Sequence, residues 1–102
     1  MGLEKLPEWF GWLENLKWVT LENNKLTAID KDQLPASLLD LNLAENEITS
    51  IDVSNLTHLT TLDLQRNQLK TLDLANLTHL TTLNLGSNKL ETLDLTNLPN
   101  LK

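Results

Sequence analysis

The sequence predicts a solenoid of the α/β type: a right-handed β-coil whose concave side is a parallel sheet of about four strands, and whose convex side is mostly extended or 3₁₀ with little helix. Three observations carry this. Residues 55–64 read NLTHLTTLDL and residues 76–85 read NLTHLTTLNL, the same phrase 21 residues later with one substitution. A fixed period of 20–29 residues is the mark of stacked repeat units. Leucine supplies 27 of the 102 residues, ample material for a continuous core and far above ordinary usage. Finally, the L-x-L centre of each repeat alternates apolar and polar, which is strand periodicity.

The units align on Leu16, Leu38, Leu59 and Leu80. They read LKWVTLENNKL (16–26), LLDLNLAENEI (38–48), LTTLDLQRNQL (59–69) and LTTLNLGSNKL (80–90), and all four fit L-x-x-L-x-L-x-x-N-x-L with Val19 and Ile48 in leucine places. Strands are expected near 18–21, 40–43, 61–64 and 82–85. Each returns to the same edge, so they must run parallel, about 4.8 Å apart. Asn24, Asn46, Asn67 and Asn88 fall where the chain turns inward. A buried turn leaves backbone groups unpaired, and an amide side chain carries both a donor and an acceptor. These asparagines are therefore read as a structural ladder.

The return half of each unit is short. Ile51-Asp52-Val53, Leu72-Asp73-Leu74 and Leu93-Asp94-Leu95 alternate apolar and polar again. Each unit is expected to use a short second strand or a single 3₁₀ turn there. In the first unit the return path IDKDQLPAS (29–37) has one extra residue and a proline, which predicts a turn or 3₁₀ segment. Asp30, Asp52, Asp73 and Asp94 form a column in which each carboxylate is expected to accept from its own turn's N–H, in preference to a cation site. At the N-terminus, LPEWFGWLENL (6–16) places Pro7 at the start of a short helix with Glu8 in its first turn.

The four-fold pattern resembles that of the leucine-rich repeat superfamily, and the likeness covers nearly the whole chain. Residues 6–16 are similar to the back half, L-P-x-x-φ-G-x-L-x-x-L, of the longer repeat subtype of bacterial and plant members. In that register Leu3 and Leu6 follow a strand that is itself missing. The domain reading is a single unit, 1–102: residues 1–15 are a partial repeat acting as a cap, and the chain ends mid-repeat without a C-terminal cap. The resemblance implies a non-catalytic scaffold for protein–protein interaction that binds on its concave face. A second reading, favoured by the near-identity of the repeats and the mid-repeat ends, is an engineered or excised solenoid that binds nothing but itself.

Composition narrows the classes. The net charge of −6 disfavours nucleic acid and anionic membranes and mildly favours basic partners. No apolar run approaches 18 residues, so no transmembrane helix is expected. The N-terminus lacks the basic and apolar pattern of a signal peptide, and there is no cysteine; a cytoplasmic location is the default expectation. No Ser-His-Asp spacing, phosphate loop or HExxH is present, and with two histidines no enzyme, cofactor or metal is expected. His58 and His79 occupy equivalent places, but no third ligand repeats with them, so they read as a solvated pair. The sequons at Asn55 and Asn76 follow from the repeat itself, since Asn97-Leu98-Pro99 keeps the asparagine without being one.

The outward-facing strand positions form four columns: Trp18, Asp40, Thr61, Thr82; Thr20, Asn42, Asp63, Asn84; Glu22, Ala44, Gln65, Gly86; and Asn23, Glu45, Arg66, Ser87. This face is polar and slightly acidic, and Trp18 and Arg66 are its natural anchors. Four strands span only about 15–20 Å. That offers a few hundred Å², below the roughly 800 Å² per partner of a standard interface, so a tight partner must also use the ends or flanks. All the aromatics, Trp9, Phe10, Trp12 and Trp18, lie in the first 18 residues. They are expected to plug the open end of the core, with self-association through Trp9 and Trp12 as the alternative. At the other end, Leu83, Leu85, Leu90, Leu93, Leu95 and Leu98 are expected to present an apolar flank, which predicts a homodimer through that end.

Overall fold

The computed structural model describes residues 2–93, 95 and 98–101, so the expectations at Asp94 and Asn97 fall outside it. Four concave strands, β1 (Trp18–Thr20), β3 (Asp40–Asn42), β5 (Thr61–Asp63) and β6 (Thr82–Asn84), form one parallel sheet in the order β1-β3-β5-β6. On the convex side β2 (Ala28–Ile29) pairs in parallel with β4 (Ser50–Ile51). The molecule measures 33 × 30 × 17 Å. It is the expected solenoid, and each concave strand lies within its expected range.

Register follows from the repeat. Val19, Leu41, Leu62 and Leu83 are Cα partners across the sheet, as are Trp18, Asp40, Thr61 and Thr82. Leucines one period apart therefore stack directly. In the inner units the stack is closed: Leu41, Leu43, Ile48, Leu62, Leu64 and Leu69 are fully buried.

Each concave strand ends at a residue in the left-handed region: Asn23 (φ 61°), Glu45 (58°), Arg66 (58°) and Ser87 (57°). None is glycine. A non-glycine residue there costs roughly 1–2 kcal/mol. The turn is held by a side-chain acceptor just ahead of it. Asn42, Asp63 and Asn84 each accept from the N–H two residues on, at 3.0, 3.0 and 3.1 Å. One residue past the left-handed position, the asparagine ladder joins the units.

The convex side departs from a uniform second strand. The β2–β4 pairing lapses after unit 2, and residues 71–73 are not a strand. A groove of about 370 Å³ opens there, lined by Ser50, Ile51, Asp52, Ser54, Thr71, Leu72 and Asp73. Further along, paired i→i+3 turns carry the chain back: Leu56 N–H to Val53 C=O and Leu59 N–H to Leu56 C=O, repeated as Leu77 to Leu74 and Leu80 to Leu77. Asp52 and Asp73 accept from the N–H of Ser54 and Ala75, both at 3.0 Å, as the column was expected to do. At the first unit the extra residue goes into a 3₁₀ turn, Lys31–Gln33, with Asp30 N–H donating to Gln33 Oε1 at 2.7 Å.

At the N-terminal end, Pro7 precedes a 3₁₀ turn, Glu8–Trp12, that packs on the Lys31–Gln33 turn. Gly11 sits against the Asp32 carbonyl so closely that a Cβ would collide with it. The expectation that the tryptophans plug the core needs correcting. Leu6 is buried and Phe10 packs against the core, whereas Trp9, Trp12 and Trp18 are 52, 72 and 71% exposed. Leu6 and Phe10 cover the back of the core at this end, while the indoles stay in solvent.

Candidate functional site

The concave sheet places the columns side by side. Trp18, Thr20 and Glu22 are exposed at one edge; Asp40, Asn42, Thr61, Asp63 and Gln65 are half-buried in the middle; Thr82, Asn84, Gly86 and Ser87 are exposed at the other edge. Glu45 and Arg66 project from the turn. Ala44, expected to face outward, is buried instead, because a single methyl does not reach past the longer side chains beside it. Asn42, Asp63 and Asn84 are half committed, since one side-chain oxygen of each holds the turn. Asn84 Nδ2 also donates to Gln65 Oε1 at 3.3 Å. These turn acceptors were not read as such from the sequence, although Asn or Asp recurring two residues before a turn amide is a known signal.

The asparagine ladder is internal to the wall behind this face. Asn67 Nδ2 donates to Leu43 C=O and Leu64 C=O, both at 3.0 Å, and its Oδ1 accepts from Ile48 N–H at 3.0 Å. Asn46 and Asn88 repeat this set one unit either side. Asn24 ends the series, its Oδ1 accepting from Leu3 N–H at 3.0 Å and Gly2 N–H at 3.3 Å. Leu3 thus stands on Asn24 as Leu26 stands on Asn46, so residues 2–16 are the back of a further unit in correct register.

The C-terminal flank divides. Leu83, Leu85 and Leu90 are half-buried, whereas their counterparts Leu41, Leu43, Ile48, Leu62, Leu64 and Leu69 are fully buried; Leu93 is half-buried, as its counterparts Ile51 and Leu72 are. Leu95 is exposed, as expected. Leu98 is not: it is 6% exposed, because it takes the place of Leu56 and Leu77 and packs inward at the turn that Leu101 N–H closes on its carbonyl. Among the described residues no group of three His, Cys, Asp or Glu is placed to hold a metal, and no helix is long and apolar enough to cross a membrane.

The sequence profile of the leucine-rich repeat matches residues 14–69 and 37–90. The chain belongs to the leucine-rich repeat family. No match to a curated protein was found. Among solved structures, this leucine-rich repeat chain is similar to the functional domain of InlJ from Listeria monocytogenes, with TM-score 0.81 and 33% identity over 89% of this chain and 20% of that one. It is also similar to a leucine-rich repeat protein of Leptospira interrogans, with TM-score 0.86 and 33% identity over 94% of this chain and 26% of that one. A third likeness is to TLR13 in the TLR13–ssRNA13 complex, with TM-score 0.83 and 26% identity over 98% of this chain and 16% of that one. The chain therefore spans about a quarter or less of the length of these relatives. Membership of the family supports a binding scaffold in general.

Proposed function

We propose that the protein is a non-catalytic scaffold that binds a partner protein of basic character across its concave face. The observation that supports this most is the combination of a rigid wall and an uncompensated face. Every unit junction is tied by the same backbone and asparagine bonds. On the open side Glu22, Asp40, Glu45 and Asp63 stand against Arg66 alone in these columns, with an exposed indole, Trp18, at the edge. Preorganised side chains lose little entropy on binding. Excess negative charge steers a basic partner and repels phosphate backbones. Trp and Arg are the residue types that most often dominate interfaces, so Trp18 and Arg66 are the anchors, with Asp40 and Asp63 between them.

A displayed random-peptide library selected on the folded chain tests this. Selected binders are expected to be rich in Lys and Arg and to lose at least about tenfold in affinity for the Trp18→Ala, Arg66→Ala double variant. Circular dichroism confirms that the variant keeps its fold, both side chains being exposed. Binders of unbiased charge that bind parent and variant equally would remove the concave face as the site.

A further inference from the structure

The 3₁₀ turn Glu8–Trp12 presents two indoles where the inner units present short polar side chains. The i→i+3 bonds fix the correspondence: Leu13 N–H to Phe10 C=O matches Leu56 to Val53 and Leu77 to Leu74. Trp9 and Trp12 therefore stand at the places of Asp52 and Asn55 in one repeat and of Asp73 and Asn76 in the next. All four of those residues are exposed, although their repeats have neighbours on both sides. The exposure of the indoles thus belongs to the position and not to an end of the coil. Between them, Phe10 packs on the core and Gly11 lies against the Asp32 carbonyl, which holds the turn as a fixed platform. The Phe10 ring also backs Trp9, with centroids 6.4 Å apart. In a 3₁₀ helix residues three apart eclipse, about 6 Å from each other along the axis. Trp9 and Trp12 therefore stand on one line. Among the described residues neither indole N–H has a hydrogen-bond partner.

We propose that this pair of indoles is a docking site for a proline-rich segment of a partner protein, held in the polyproline II conformation and flanked by Lys or Arg. The chemistry of the surface selects this occupant. It offers flat aromatic faces and two N–H donors. A proline-rich segment supplies apolar rings and carbonyls free of internal hydrogen bonds, and each proline has no N–H to leave unpaired. Its shape is set before binding, so little ordering entropy is lost on a small site. Size excludes a stable dimer through the pair. A tryptophan buries about 150–250 Å², so Trp9 and Trp12, 52 and 72% exposed, together offer about 200–300 Å². A standard interface needs roughly 800 Å² per partner. Charge sets the flank of the segment. Residues 2–16 carry Glu4, Glu8 and Glu14 against Lys5 alone, all exposed. This favours a basic residue beside the prolines and disfavours anionic lipid. Both indoles lie on the return half of the unit, so the site is separate from the concave face and its test is independent of that reading.

The probe is a fluorescein-labelled peptide of consecutive prolines ending in two arginines, titrated into the full chain. Binding is read by fluorescence anisotropy and by the indole N–H resonances in NMR. The expected result is saturable binding that shifts the Trp9 and Trp12 resonances and leaves Trp18 unmoved. Trp9→Ala and Trp12→Ala should each weaken binding at least about tenfold, and Trp18→Ala should bind as the parent does. All three side chains are exposed, and circular dichroism confirms that the variants keep their fold. A peptide of the same length with alanine in place of every proline leaves the chain untouched and should bind at least about tenfold more weakly. The proposal is overturned by absence of saturation up to about 1 mM, by equal binding of the alanine peptide, or by shifts confined to Trp18, which would assign the peptide to the concave face. Burial of both indoles in neutral phosphatidylcholine vesicles, with no peptide binding, would overturn it in favour of a lipid surface. Concentration-dependent shifts of both resonances in the chain alone, with dimers in sedimentation, would overturn it in favour of a second copy.

Discussion

Replacing Asn67 with alanine should cost more than replacing any exposed residue of the same unit, and the structure gives the scale. Asn67 is 6% exposed and holds three backbone groups, Ile48 N–H, Leu43 C=O and Leu64 C=O, all at 3.0 Å; the two carbonyls also accept from Asn46 Nδ2 and Asn88 Nδ2, so Ile48 N–H is the group that loses its partner. A buried group left unpaired costs about 1–3 kcal/mol. With the two carbonyls still paired, the expected loss is about 1–3 kcal/mol, the range for one such group. For a domain of this size, with a urea slope of about 1–2 kcal/mol/M, the middle of that range lowers the midpoint by about 1–2 M. Asn67→Asp should be as damaging at neutral pH, since a carboxylate accepts only and would face two carbonyls, and it should recover in part on protonation. Gln68→Ala, at the exposed neighbour, is the control and should shift the midpoint by less than about 0.5 M. If Asn67→Ala unfolds within that same margin, the ladder does not hold the units together, and the assignment of its bonds is wrong.

Leu64→Ala should cost about 2–5 kcal/mol by leaving a cavity, whereas Leu85→Ala, one unit on and half-buried, should cost clearly less; equal losses in denaturation would refute the open flank. Gly11→Ala should lower the melting temperature, because the new methyl meets the Asp32 backbone carbonyl, and an unchanged melting temperature would show that the two 3₁₀ turns do not touch. Asp52 is held below the usual carboxylate range, first by the Ser54 hydroxyl and then by the Ser54 N–H, with Lys31 assisting and slight desolvation opposing. A folded-state pKa below the unfolded one stabilises above the unfolded value, and that contribution fades as pH falls through the folded one. Ser54→Ala should therefore move the Asp52 titration, followed by NMR, back toward the ordinary range; an unmoved titration would mean that the hydroxyl bond does not form in solution.

What the sequence determined by itself is the stacking of the residue types that recur on the concave side. In a solenoid, residues one period apart are neighbours in space, so the spacing of Val19, Leu41, Leu62 and Leu83 along the chain is already a list of contacts across the sheet. The same logic makes the Asn24, Asn46, Asn67, Asn88 column legible, because only a group that both donates and accepts suits a stacked inward turn. The left-handed column was not legible: Asn23, Glu45, Arg66 and Ser87 are four residue types without a glycine, and their φ is imposed by the bonds on either side. Nor was the lapse of convex pairing at residues 71–73, since Leu72-Asp73-Leu74 carries the same alternation as Ile51-Asp52-Val53, and pairing depends on how far apart the units are at the back. Only the tertiary structure decided the ends, where Trp9, Trp12 and Trp18 stay in solvent while Leu6 and Phe10 fill the gap, and where Leu98 turns in while Leu95 stays out. The burial of a residue is set by what lies beside it, and at a flank with no described neighbour one period away, periodicity has nothing to say.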